Sequence, residues 1–469
     1  VSPLFPQLGI LLATACFASL FSLAEDKPEE KTEEKTAANE SLVKPAEIQP
    51  HYEGRLRLEY DYRTQGDEHD SDIYGYLYGR ASDLANGLVD VYISGRAHSD
   101  LDHDSTQGGT YQSADDAHGV TENRLMQAYL DAHDRKGEKH LRLGRQYIEV
   151  ADYLQLDGGQ FSLFENGDIG GRVYAGRPVS YYSSTSSDFA GGLSLVGRPW
   201  KGNRSRLTYA NYYADDVGKS DQNYLVDVQQ EVAESVQTRT RLSVLNDAFR
   251  YASVDVYVFP MDGDMNLRIG GSRWGEFDAN TIVYSPYYAQ LGEEQPYTYA
   301  YAKMDYSLGP MWMISPGFST RKTDSGDTDY SNRDYADYEL IVTFEPVKSL
   351  SASLSLDYWD VANGDGFLGL SGEVRYRHKR KWEVSAGTAY MDYTYNSYSD
   401  ISYSVNDGQT VFYEDGTVTE ESPYALSYFL RMKWAITRRL ILRLQGDVED
   451  DDAADDLSYR CRGSVEVRL

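Results

Sequence analysis

The chain has 469 residues, a formal net charge of −29, and charge on 25% of its residues. Its aromatics are mostly tyrosine, 41 Tyr against 14 Phe and 6 Trp. No nucleic-acid partner is expected. Beyond the first residues no stretch approaches the roughly 20 apolar residues that a spanning helix needs, which excludes a helical membrane protein.

Residues 1–24 read as an export signal. Leu8 to Phe21 is an apolar run of h-region length, Ser22 and Ala24 offer small residues at the cleavage positions, and Glu25 and Asp26 follow at once. Cys16 lies inside this run behind Ala13, where a lipidated leader prefers Leu. Removal of the signal would leave Cys461 as the sole thiol, with no internal disulfide. Residues 25–50 are charged, carry Pro and lack aromatics, so they cannot offset chain entropy by burial and are expected to form a disordered periplasmic tether. No composition break follows, and residues 51–469 read as one unit.

From Tyr52 onward one phrase recurs about every ten residues, apolar and polar side chains in alternation and then a turn. Leu56, Leu58, Tyr60 and Tyr62 interleave with Arg57, Glu59 and Asp61. Leu350, Ala352, Leu354, Leu356 and Tyr358 interleave with four polar residues. Each phrase is a strand with one oily and one wet face. In chain order the strands are expected at 52–63, 72–82, 87–98, 122–134, 138–149, 188–198, 203–214, 223–231, 237–246 and 250–259. They continue at 264–274, 297–307, 311–321, 335–345, 349–361, 366–379, 382–394, 424–435, 438–449 and 456–468.

Short connections such as 134–137, 199–203, 260–263, 309–310, 346–349, 378–381 and 437–438 alternate with mostly longer ones at 99–121, 275–296, 322–334 and 395–423. Residues 150–187 break the pattern, with Asp157-Gly158-Gly159 and Gly170-Gly171 among strand-like residues. They add either two strands or an inward loop. Their glycine content and Arg172 and Arg177 favour an inward constriction.

The fold class is therefore all-β, a single antiparallel transmembrane β-barrel of about 20 strands, within 18–22. Alternate positions supply an apolar exterior, the others a polar lumen, and the aromatics two interfacial girdles. Together with the string Leu141-Arg142-Leu143-Gly144-Arg145-Gln146, these features resemble bacterial outer-membrane porin-type barrels. The resemblance implies a Gram-negative outer-membrane location, short periplasmic turns, long extracellular loops and transport. Barrels of this type mostly close on an aromatic residue, whereas here Leu469 follows Tyr459, Val465 and Val467 in phase.

Placing Leu, Val, Tyr and Trp outward sends Arg55, Arg57, Arg239, Arg241, Arg375, Arg377, Arg431, Arg443, Arg460 and Arg462 into the lumen. Glu59, Asp61, Asp255, Asp357, Glu373 and Asp447 follow them, and Arg142, Arg172 and Arg177 complete the candidate pore lining. Mixed rows of Arg and carboxylate would set a transverse field that filters polar solutes. Acid also collects at Asp67–Asp72, Asp115-Asp116, Asp324–Asp329 and Glu449–Asp456. Asp100, Asp102 and Asp104 imitate the start of a calcium loop without its Gly or closing Glu. His98, His103 and His118 accompany them, and no metal site is assigned.

No nucleophile elbow, zinc motif, phosphate loop or haem-attachment motif is present, so neither catalysis nor a cofactor is expected. His133 and His140 flank a turn with no serine partner to name. Three readings follow: a passive channel for small hydrophilic solutes or ions, a sheath around a multihaem cytochrome that brings its own haem, and a plugged structural or receptor barrel. Lipid is the expected surrounding, with homo-oligomers an open matter.

Overall fold

The structure, a computed structural model, describes residues 49–101, 121–149, 153–165, 167–179, 187–260, 263–275, 296–324, 334–362, 365–379, 381–399, 402–406, 409–413, 417–452 and 456–469. The expected export signal, nearly all of the tether, and Asp102, His103, Asp104 and His118 lie outside them.

The strands open with β1 (His51–Gln65), β2 (Glu68–Asp83), β3 (Val89–Asp100), β4 (Thr121–His133), β5 (Lys139–Glu149), β6 (Tyr153–Leu163), β7 (Ile169–Pro178) and β8 (Phe189–Gly197). They continue as β9 (Asn203–Ala214), β10 (Lys219–Ala233), β11 (Val236–Leu245), β12 (Ala248–Val258), β13 (Met265–Trp274), β14 (Tyr297–Ser307), β15 (Trp312–Thr323) and β16 (Tyr335–Val347). Then follow β17 (Leu350–Val361), β18 (Gly366–His378), β19 (Trp382–Ser399), three short strands β20 (Ser402–Asn406), β21 (Gln409–Tyr413) and β22 (Thr417–Glu421), and finally β23 (Tyr424–Ala435), β24 (Leu440–Asp451) and β25 (Ser458–Arg468).

Each strand pairs antiparallel with the next, β19 pairs with β23, and β25 returns to β1 in register from Arg55 opposite Arg468 to Gln65 opposite Ser458. The result is a closed wall of 22 strands. Closure leaves no strand edge unpaired, the condition for exposing a sheet to hydrocarbon. β22 lengthens the far end of β19, and β20 and β21 form a separate hairpin.

All twenty expected strands are present, and residues 150–187 correct the reading of an inward loop. β6 and β7 lie in the wall, pairing with β5 and β8 from Glu149 opposite Tyr153 to Gly176 opposite Ala190. Their glycines permit tight packing of neighbouring strands rather than an excursion into the lumen. A Cβ at Gly158 would overlap the carbonyl oxygen of Ala175 and lie 2.6 Å from the Gly176 Cα. At Gly144 on β5, φ is +126°, a backbone that side chains rarely adopt.

Antiparallel order divides the connections between two rims. Both ends of the barrel chain, His51 and Arg468, lie on the rim whose turns are all short, such as 134–138, 259–264, 308–311 and 436–439. The other rim carries the long connections 101–120, 275–296, 324–334 and 400–423 beside two-residue turns at Gly66-Asp67 and Asn246-Asp247.

One face of the sheet carries Leu58, Leu143, Leu207, Val254, Leu354, Val374, Leu430, Leu444 and Val465, all left exposed. Aromatics border it. Near the short-turn rim Trp312 stacks on Phe344, and Tyr376, His378 and Trp382 pack together. Toward the other rim Phe318, Tyr338 and Tyr358 form a second run, with Tyr390 on Tyr424 beyond it. Trp382 and Tyr390 lie eight residues apart on β19. At about 3.3 Å per residue and a tilt of about 40°, that spans roughly 20 Å of height, close to the apolar band of an outer-membrane barrel. Cys461 shares this outer face and is exposed.

The compact apolar core of the wall lies instead on the inner face. Ile148, Leu156, Tyr174, Ala190, Tyr212 and Leu245 are buried there side by side, on strands between β5 and β11. An inner face that is polar throughout is thus corrected for this sector.

Candidate functional site

Registry decides which side chains share the lumen. Starting at Asp61, direct partners run through Arg462, Gln445, Arg431, Ser385 and Arg375. In the other direction Arg57 faces Tyr76, which faces Arg96. Following partners around the whole sheet places Arg55, Arg57, Glu59, Asp61, Arg142, Arg172, Arg239, Arg241, Asp255, Asp357, Glu373, Arg375, Arg377, Arg431, Arg443, Asp447, Arg460 and Arg462 on one inner face. Arg177 is the exception. It is exposed on the outer face with Val173 and Ala175, opposite Asp157, because β7 runs in the wall with Arg172 and Tyr174 turned inward.

The inner charges form three groups. Around β1 and β25, Arg460 makes a two-pronged contact with Asp61 at 2.6 and 3.0 Å, and Arg462 reaches the same carboxylate at 2.9 Å. Glu466 accepts from Arg443 at 2.9 Å and Arg468 at 2.6 Å, with Arg55 at 3.9 Å. On the neighbouring strands Arg375 holds Glu373 at 2.7 Å and Arg377 holds Glu383 at 2.9 Å. Forked guanidinium contacts of this kind fix the side chains they join.

A second group lies on β2 to β7. Arg142 grips Asp131 at 2.9 Å, His140 stands 3.3 Å from the same carboxylate, and His133 faces His140. Arg172 is held by Glu165 of the β6–β7 turn at 2.6 Å. His98 is not a loop residue. It is buried on β3, 2.5 Å from buried Asp72, whose other oxygen accepts from Tyr74 at 3.1 Å. Asp70 and Asp72, read as loop acids, likewise sit on β2.

The third group joins β10 to β17. Arg239 binds Asp227 at 2.6 and 3.0 Å, while Arg241 and Arg268 share Asp255 with Tyr301. Asp337, Glu339 and Asp357 gather on β16 and β17, where Lys303 reaches Glu339 at 2.9 Å. Outside these inner groups, at the long-loop rim and on the other face of β13, Arg273 clamps Asp324, and this hydrogen bond holds the exposed Asp324 carboxyl below the ordinary carboxylate range.

The outward reading of tyrosine holds for Tyr60, Tyr338 and Tyr358 but not for a second set. Tyr74, Tyr76, Tyr78, Tyr92 and Tyr129 face the lumen, as do Tyr257, Tyr297, Tyr299 and Tyr301. Arginines lie over them: Arg57 at 4.0 Å from Tyr76, Arg142 at 4.5 Å from Tyr129 and Arg321 at 4.1 Å from Tyr297. Such contacts hold a cation in place without cancelling its charge. Parity carried the signal, since Ile73, Gly75 and Leu77 occupy the other side of β2.

A circular wall of 22 strands, about 4.8 Å apart and tilted about 40°, is roughly 40 Å across between backbones. Side chains from opposite sides cannot meet over that width. A charged inner wall of this span can solvate, orient and sort ions and polar solutes.

No family model matches the chain, and neither does any curated protein sequence. Among solved structures it is similar to Acinetobacter baumannii OccAB4, at 10% identity and a TM-score of 0.41, over 91% of this chain and 100% of that one. Pseudomonas aeruginosa OccK1 (OpdK) aligns at 8% identity and a TM-score of 0.41, over 90% of this chain and 98% of that one. Pseudomonas aeruginosa OprD aligns at 11% identity and a TM-score of 0.40, over 89% and 95%.

Proposed function

We propose that the protein is a porin-type channel of a bacterial outer membrane, through which small hydrophilic solutes or ions diffuse passively. One observation carries the reading: a sheet closed by β1 on β25 whose outer face is apolar between two aromatic runs and whose inner face is charged outside the apolar cluster on β5 to β11. Hydrocarbon accepts such an outer face only when every backbone group is paired inside the sheet, and closure meets that condition. The short-turn rim with both barrel termini then belongs in the periplasm, and the long connections outside. The eighteen inner residues named above line the path.

Conductance of the purified chain in a planar bilayer tests this. Stepwise insertion of open, voltage-independent currents is the expected result, and paired salts of unequal ion mobility then read width and charge preference together. A chain that inserts as a folded barrel, shown by heat-modifiable migration, yet passes no current would overturn it.

A further inference from the structure

At the long-loop rim neighbouring strands stay paired to the end of the one that finishes first, or to within one residue of it, as Gln65 with Glu68 and Gly366 with Thr394 do. Among the described residues β4 and β5 are the exception. They pair from His133 opposite His140 only as far as Ala128 opposite Arg145, although β4 runs on to Thr121 and β5 to Glu149. Along roughly 20 Å of β4 the ladder is therefore one-sided. Residues from Thr121 to Gln127 pair with β3 alone, and those from Gln146 to Glu149 with β6 alone.

Two irregularities account for the parting. Met126 is the extra residue of a β-bulge, between Gln127 opposite Ser94 and Leu125 opposite Gly95. On β5 the positive φ of Gly144 redirects the strand immediately before Arg145. Side chains close what the ladder leaves. Arg145, forked onto Asp157 at 2.7 Å, donates through Nη1 to the Leu125 carbonyl at 3.1 Å, and the Gln155 amide donates to the Met126 carbonyl.

The surroundings on both sides of the wall bear on what could pass. Outside, Leu130 and Leu143 face each other just below the parting, Leu125 borders it, and all three are exposed. Inside, a recess of about 340 Å³ opens beside it, lined by Tyr76, Ser94, Arg96, Arg124 and the bulged Met126. A bare strand edge would invite an added strand. Here the carbonyls of the bulge are already capped by side chains, so an incoming strand would have to displace both caps. An alkyl chain needs no hydrogen bond, and it would meet leucines outside and the adaptable Met126 side chain within.

We propose that the β4–β5 parting is a lateral opening through which an alkyl chain, the tail of a single-chain amphiphile, passes between the bilayer and this recess. Arg145 and Gln155 are its closing contacts. The inference rests on the membrane placement of the channel reading and adds a side exit to its axial path.

The test uses the full chain in phospholipid vesicles, with palmitic acid carrying a diazirine near its chain end as the probe. Adducts are located by mass spectrometry of peptides after irradiation. Outer positions such as Leu354 and Leu444 should label in any barrel surrounded by lipid. If the wall parts between β4 and β5, Tyr76 and Ser94 label as well, several-fold above Ser353 and Asp357, which face the same lumen on distant β17. Gln155→Ala removes one cap, and it should raise the Tyr76 and Ser94 adducts about fivefold, the loss of one hydrogen bond from the closed form. Heat-modifiable migration shows that the variant is folded.

Tyr76 labelled no more than Asp357, or adducts that Q155A does not raise, overturn the opening. Label confined to outer positions such as Leu125 and Leu143 does so too, and leaves the two edges to a protein strand. Should Q155A fail to fold, the comparison of Tyr76 with Asp357 in the unaltered chain decides alone. Absence of label at Leu354 and Leu444 is a different failure: the membrane reading falls there, and the opening falls with it.

Discussion

β17 with β18, and β6 with β7, are strand pairs of one closed sheet, built on different physics. The first pair alternates cleanly: Leu354, Leu356, Tyr358, Leu368 and Leu370 outward, and Ser353, Asp357 and Glu373 inward. Backbone pairing with both neighbours holds it, and its outer side chains remain exposed. In the second pair Gly158 and Gly176 face each other so closely that neither strand has room for a side chain there, and Leu156 and Tyr174 are buried on the inner side. The outer side chains of the first pair stand exposed, whereas the second pair requires glycine where its strands meet.

Substitutions can break that contrast. The largest effect is expected from Gly158→Val, which forces a branched side chain onto the Ala175 carbonyl and Gly176. Overpacking in a closed wall cannot relax, and a loss above about 3 kcal/mol is expected, read as failure to recover heat-modifiable, folded protein. A variant that folds normally would mean the two strands can separate at that point, and the close packing would not be essential.

Leu354→Arg addresses the alternating sector, with its side chain 53% exposed on the outer face. If lipid surrounds that face, the charge costs about 2 kcal/mol or more near mid-depth, measured by urea unfolding in lipid vesicles. The same change in an aqueous setting would cost less than about 0.5 kcal/mol, so the measurement also tests the apolar belt itself. The smallest effect is expected from Gly446→Ala on β24, where an added Cβ meets nothing within 4 Å. Its stability should stay within about 0.5 kcal/mol of the unaltered chain. A penalty there as large as that expected for Gly158→Val would erase the distinction between the two sectors.

Most of the site was legible for one reason. With side-chain period two, the identity of the outward residues determines the inward ones, so Arg57, Glu59, Arg431 and Arg462 followed from Leu56, Leu58 and their counterparts. Arg177 failed because glycine carries no polarity. Between Gly170 and Gly176 too few side chains remained to set a phase, and charge alone suggested an inward position. The lumenal tyrosines failed for the opposite reason. Tyrosine is at home on both faces, with a ring for lipid or for a guanidinium and a hydroxyl for water, so its presence marks neither side. Glu383, Lys433 and Glu466 carried the right parity and lie along the basic wall, but only strand neighbours show that they matter.

Alternation and turn spacing, local properties of the chain, determined that the protein is a polar-inside, apolar-outside antiparallel wall of about twenty strands. The tertiary structure decided that there are 22, that Gly158 and Gly176 meet, and that six cations from five strands share one stretch of inner wall. Those are questions of registry between residues up to four hundred positions apart. Each strand can display its own two faces, but which neighbour it displays them to is settled only when the sheet closes.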